Sequence, residues 1–145
     1  MPTQRPDKVV FEPIREPHKA LPYWDWFANS RFFARYPIGA LESAFGQVLN
    51  REAIAIVGFL NGEAKGFVII KPKQEPHPTE PKLISVCEVV QIYGYRYLYK
   101  FRDEFFSWLK GFGYEKLRGY SNAQDKAFEK LFDMTKIYSV YEKEF

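Results

Sequence analysis

The sequence holds a single cysteine, Cys87, in 145 residues. One thiol excludes an intramolecular disulfide and fits a reducing compartment. The two histidines, His18 and His77, lie in proline-flanked stretches. They are too few to build a structural zinc site beside one cysteine, and they suggest no Cys/His nucleophilic pair, so no metal is expected. The longest apolar run, AIAIVGFL, is far shorter than the ~20 residues a spanning helix needs. The start, MPTQRPDK, is polar and proline-bearing and has neither a secretory nor an amphipathic presequence pattern. A cytoplasmic protein with no membrane partner is therefore expected. No run of Lys or Arg exceeds two residues and the formal charge is only +3, which argues against a nucleic-acid partner.

What the chain does have is rings. Aromatics make up 19% of it and hydrophobic residues 46%. A chain of this length buries roughly 68–70% of its unfolded surface, so residues 1–145 are expected to form one domain around one core. The strongest local signal is Asn61-Gly62, flanked by β-rich runs, because both residues of a type I′ hairpin turn must tolerate positive φ. The pattern predicts paired strands over Ala53–Leu60 and Lys65–Ile70. Lys8–Ile14 reads as a short first strand closed by prolines. ALPYWDWFANSRFFARY reads as a helix or broken helix with Trp24 inward, and PIGALESAFGQVLN as a clearer one, its apolar residues three and four apart. KPKQEPHPTEPK carries four prolines and reads as an exposed loop. LISVCEVV then reads as a buried strand, with Cys87 a small buried hydrophobe.

In VCEVVQIYGYRYLYKF the β-branched run stops at Gln91, a turn with one glycine follows, and apolar residues return at helical spacing. Leu98, Phe101, Phe105, Trp108, Leu109 and Phe112 predict one face of a helix from about Tyr95 to Lys110. EKLRGYS reads as a short strand, the region from Ala127 to Phe132 as a helix capped by Ser121 or Asn122, and KIYSVYEKEF as a closing strand. The order describes an α/β fold with a mixed central sheet and helices on both faces. A strand that feeds a helix through a glycine turn presents free amides, which suits a phosphate and equally suits an ordinary turn. Glu88 lies mid-strand between apolar neighbours. It is either a carboxylate set up as a general base for an ammonium substrate or one that points to a sheet edge or pairs with a nearby Arg or Lys.

The order and these residues resemble the GCN5-related N-acetyltransferase (GNAT) superfamily over Lys8–Phe145. FLNGEAKGFVII resembles that family's central hairpin. VVQIYGYRYL falls where the family carries its Gln/Arg-x-x-Gly-x-Gly/Ala loop, with Gln91 and Gly94 matching and Arg96 standing where a small residue is usual. The resemblance implies acetyl-CoA as co-substrate, its pantetheine arm between two splayed strands and its pyrophosphate on the loop. It implies cofactor contacts at Val89, Val90, Gln91, Gly94, Tyr95, Arg96, Tyr97 and Asn122. It also implies catalytic groups at Glu88 as base and at Tyr120 or Ser121 as thiolate protonator. The family's usual general-acid tyrosine falls on Phe128, which has no hydroxyl, and the Gly-Phe that normally follows falls on Phe132 and Asp133.

Three functions fit these observations. The first is an N-acetyltransferase acting on a small-molecule or peptide amine. The second is a catalytically inactive binding or assembly module of the same fold, phage-derived in character, with an aromatic patch around Tyr23 to Phe33 as its partner face. The third is a nucleic-acid-binding domain that stacks bases on Tyr93, Tyr95, Tyr97 and Tyr99. Homo-oligomerisation is compatible with the first two.

Overall fold

A computed structural model of the chain describes residues 6–28, 38–119 and 143–145. Its elements run β1 (Val9–Pro13), a 3-10 segment (Pro17–Tyr23), α1 (Trp24–Ala28), α2 (Ile38–Leu49), β2 (Ile54–Leu60) and β3 (Glu63–Pro76). They continue with β4 (Leu83–Tyr93), α3 (Tyr95–Lys100), α4 (Arg102–Gly111) and β5 (Lys116–Arg118). The predicted helix over Ala127–Phe132 and most of the predicted closing strand lie outside the described residues. Among the described residues no helix is long and apolar enough to cross a membrane.

The five strands form one sheet in the order β1-β2-β3-β4-β5. The first three neighbouring pairs are antiparallel and β4 with β5 is parallel, which makes the sheet mixed as expected. Strand alternation sends alternate residues to opposite faces, and each face has its own core. On one face Ile56, Val68, Ile70 and Cys87 pack under Leu98 of α3, Phe101 between the two helices, and Phe105 and Leu109 of α4. On the other, Ala55, Val57, Phe67 and Ile69 pack under Ala44, Phe45 and Val48 of α2. Each of the larger side chains buried this way contributes ~1.5–3 kcal/mol of apolar transfer energy. Tyr23 stacks on Phe67 with ring centroids 4.7 Å apart, and Trp26 lies 4.9 Å from the ring of Tyr93. Tyr23 and Trp26 are therefore packed on the sheet, while the Phe32 and Phe33 end of the expected aromatic patch lies outside the described residues.

The hairpin turn is as the sequence predicts. Asn61 and Gly62 have φ of 52° and 84°. The Asn61 backbone N–H donates to the Lys8 carbonyl, and the Lys8 N–H to Asn61 Oδ1, both at 2.8 Å, so the turn also fastens the start of β1.

Three expectations need correction. The proline-dense stretch is not all loop, since β3 continues through Lys71 to Pro76 and pairs with β4 from Pro72↔Cys87 to Pro76↔Leu83. The last β2–β3 pair is Ile54↔Ile70, so beyond it β3 is an edge strand, where a missing N–H is tolerated. The long helix is two, parted at Phe101, whose φ of −114° and ψ of 31° leave the helical region. Neither proline nor glycine marks that break, and the apolar spacing runs through it because Phe101 itself points into the core. Phe112 lies past the helix end and is 52% exposed, so it does not belong to the buried stripe.

α3 is fixed to the sheet by one ring. Tyr97 is buried over a pair of glycines in register, Gly58 and Gly66, on β2 and β3. A Cβ on Gly66 would come 2.7 Å from Tyr97 Cδ1, and one on Gly58 2.5 Å from Cε1. The β2–β3 register shifts between Gly58 and Phe59, and the Tyr97 hydroxyl donates to the Phe59 carbonyl at 3.0 Å. Burial, helped by the charge of Glu104, pushes the phenol up to about 12. Gly66→Ala is expected to cost ~1–3 kcal/mol in urea unfolding by overpacking. In a Tyr97→Ala background most of that cost should vanish, because the clash partner has gone.

Candidate functional site

β4 runs beside β5 for only part of its length. The parallel register covers Val86↔Lys116, Cys87↔Leu117 and Glu88↔Arg118. Beyond Glu88, the stretch Val89 to Tyr93 keeps β3 on one side and has no strand partner on the other among the described residues. The register with β3 also shifts there, with Ile69 opposite Gln91 and Ile70 opposite Val89. Val90 is thus the extra residue of a bulge. A bulge bends its strand and increases the local twist. It also resets the faces. Val89 packs with the α3/α4 core, Val90 with the α2 core, Ile92 with the first again and Tyr93 with the second.

The open edge ends at Gly94, the N-cap of α3, with φ 79° and ψ 44°. A Cβ there would lie 2.3 Å from the Lys65 carbonyl oxygen and 2.9 Å from Gly66 Cα. Glycine is required twice over, by the left-handed backbone and by the approach of the turn to β3. Among the described residues no side chain caps this helix start. The first intrahelical bond is from Leu98 N–H to the Gly94 carbonyl at 3.0 Å, so the amides of Tyr95, Arg96 and Tyr97 have no intrahelical acceptor. α3 has only six residues, so anion affinity here would come from these amides more than from a macrodipole. Arg96 is exposed beside them, while the Tyr97 ring is turned into the core.

At the vertex where the strands part lies an ion cluster on the α2 face of the sheet. Arg118 holds Glu75 with both guanidinium nitrogens, Nη2 to Oε2 at 2.9 Å and Nη1 to Oε1. Lys73 Nζ sits 3.5 Å from both Glu75 Oε1 and Glu88 Oε1, and Arg118 Nη1 is 3.8 Å from Glu88. Hydrogen bonding from Arg118 holds the Glu75 carboxyl well below its ordinary value of 4.5, at about 2. Glu88 therefore has cationic neighbours. Cys87, on the opposite face, is fully buried, and burial pushes its thiol up to about 11.

Of the residues singled out in the sequence, Glu88, Val89, Val90, Gln91, Gly94, Tyr95, Arg96 and Tyr97 form one continuous track along the open edge and its turn. Tyr120, Ser121, Asn122 and Phe128 lie outside the described residues. Sequence reasoning missed Lys73, Glu75 and Arg118. Their signal was present as the period-two alternation Lys71, Lys73, Glu75, a strand pattern that the intervening prolines obscured.

No protein-family model matches the chain, and no curated protein does. Solved structures match over nearly the whole length. A ribosomal-protein-alanine N-acetyltransferase from Brucella melitensis biovar Abortus 2308 superposes with a TM-score of 0.58 at 19% identity, covering 95% of this chain and 99% of that one. A predicted acetyltransferase from Clostridium acetobutylicum, solved with acetyl-CoA, gives 0.61 at 10% identity, covering 94% and 96%. An aminoglycoside acetyltransferase from an uncultured soil metagenomic sample, in complex with sisomicin, gives 0.56 at 12%, covering 94% and 95%. The chain has the GNAT-superfamily fold.

The ion cluster makes stability pH-dependent. A carboxyl at about 2 when folded and near 4.5 when unfolded binds fewer protons in the folded state. Its contribution is complete above the unfolded value and is lost as the pH falls through about 2. Glu75→Gln is expected to lower the melting temperature at neutral pH and to flatten its fall between pH 4.5 and 2, measured by circular dichroism. A wild-type and variant with parallel acid profiles would show that the Arg118–Glu75 pair is not stabilising.

Proposed function

We propose that this protein is an acyl-CoA-dependent N-acetyltransferase that uses the cleft between β4 and β5. The observation that carries this reading is the run of backbone from Val89 to Tyr93 with no β5 partner among the described residues, leading straight into the uncapped amides of Tyr95, Arg96 and Tyr97. A pantetheine arm carries amide groups of its own and can complete the open edge as a strand would, alongside Val89, Val90 and Gln91. The pyrophosphate then rests on the amides around Gly94, Tyr95 and Tyr97, with the Arg96 fork within its reach. Asn122 completes the contacts that the resemblance implies. Solved structures of this fold with CoA and with acetyl-CoA support the choice of co-substrate.

This placement brings the thioester to the vertex beside Glu88. The amine nitrogen attacks the acetyl carbonyl carbon, the C–N bond forms, and the C–S bond breaks with its electron pair leaving on sulfur. The proton lost by the amine passes to a water held by Glu88, and the thiolate takes a proton from Tyr120, Ser121 or solvent. Phe128 supplies none. Holding thioester and amine together accounts for much of the rate, since well-oriented partners save ~7–11 kcal/mol of the barrier.

Acetyl-CoA at about a hundredfold excess over its dissociation constant is expected to raise the melting temperature by roughly 5–10 °C. Arg96→Glu, at an exposed position, should leave the unliganded melting temperature unchanged and remove more than half of the rise. The absence of any rise at millimolar acetyl-CoA would overturn the proposal.

A further inference from the structure

The register around the vertex defines a lattice of side chains on the α2 face. Lys71, Glu88 and Arg118 lie side by side across β3, β4 and β5. The next row toward the start of β4 is Lys73, Val86 and Lys116, and beyond it Glu75 lies beside Ile84. Among the described residues four cations thus share this patch with two carboxylates. Both carboxylates are engaged, Glu75 by Arg118 and Lys73, and Glu88 by Lys73 and Arg118. Lys71 and Lys116 are exposed and make no ion pair among the described residues. With strands ~4.8 Å apart and a two-residue repeat of ~6.7 Å, these two lysines flank Glu88 from opposite sides with Cα atoms ~12 Å apart.

The floor of the patch is partly buried: the side chains of Arg118 and Glu88 are 15% and 16% exposed. Charges there are screened less than on an open surface, so the excess of positive charge acts on whatever sits beside Glu88. A polyamine or aminosugar would bring further cations against Lys71, Lys73 and Lys116. An amine with a carboxylate a few bonds away places its nitrogen at Glu88 and its carboxylate within the reach of a flanking lysine.

We propose that this basin selects an acceptor amine that itself carries a carboxylate, the chemistry of an α-amino acid, and disfavours polycationic amines. The inference rests on the transferase reading, because it takes the vertex as the place where the acceptor sits. Lys71 and Lys116 are then specificity determinants that touch the acceptor and have no part in the proton transfers.

The test compares L-glutamate, its diamide and spermidine as ligands of the full chain by saturation-transfer NMR, without co-substrate, on wild-type and on the Lys71→Glu/Lys116→Glu double variant. Glutamate should bind the wild-type protein most tightly, and the double reversal should weaken it on the order of tenfold, as should salt near ~1 M. Spermidine should gain affinity in the variant. Both positions are exposed, so the variant's melting temperature should match the wild type, and Lys71→Met/Lys116→Met should give an intermediate loss. Equal binding of glutamate and its diamide, or a glutamate affinity unmoved by the reversal, would overturn the inference. An acetyl-CoA melting shift on the same samples separates the two claims. A shift without glutamate preference overturns the acceptor inference alone. The absence of a shift overturns the transferase reading, while the glutamate comparison still decides the charge argument.

Discussion

Among the described residues β5 accompanies β4 only as far as Glu88, and the backbone beyond that point is the feature on which the account depends. A central strand in a covered sheet normally satisfies its backbone on both sides, because an unpaired amide out of water costs more than a made hydrogen bond contributes. Here β5 is three residues long and pairs with the first half of β4 only. The register of β4 with β3 shifts at Val90, and the turn at Gly94 presses against β3 so closely that no Cβ fits. Among the described residues, donors and acceptors are left along one edge, next to a helix start whose N-cap residue makes no side-chain cap. The acyl donor proposed above has amides and a diphosphate that would complement such an edge.

Around this opening the protein is held rigid by packing that has no direct part in chemistry. The Tyr97 ring lies over Gly58 and Gly66 and bonds to the carbonyl of Phe59, so the first turn of α3 is held against β2 and β3. On the other face, Arg118 reaches from β5 across β4 to Glu75 on β3, and Lys73 ties Glu75 to Glu88. One device fixes the phosphate end of the proposed cleft and the other its vertex. The distance between them is set by the residues of β4 from Glu88 to Tyr93.

Much of this was legible in the sequence because local rules decided it. Asn61-Gly62 can hardly be anything but a hairpin turn, and the change from β-branched to helical spacing around Gly94 locates the strand-to-helix junction. The α2 face was readable from Phe45 and Val48. What was not legible depends on neighbours distant in sequence. Pro72 is allowed in β3 only because β2 has already ended, and nothing near Pro72 announces where β2 ends. The break at Phe101 and the bulge at Val90 carry no proline or glycine. The partnership of Glu88 with Lys73 and Arg118 spans three strands, so a single-strand view could only offer it as one of two alternatives. Tyr97 looked like one tyrosine among several in a row, until two glycines from other strands were found beneath it.

The central claim, that the β4 edge beyond Glu88 is open in the free protein and filled by the acyl donor, is tested most directly by amide hydrogen exchange resolved along Val89–Tyr97. The amides of this stretch that are not bonded to β3, with those of Tyr95, Arg96 and Tyr97, are predicted to exchange rapidly without ligand and to become protected when acetyl-CoA is added. Protection already present in the free protein, or exchange unchanged by acetyl-CoA, would contradict it.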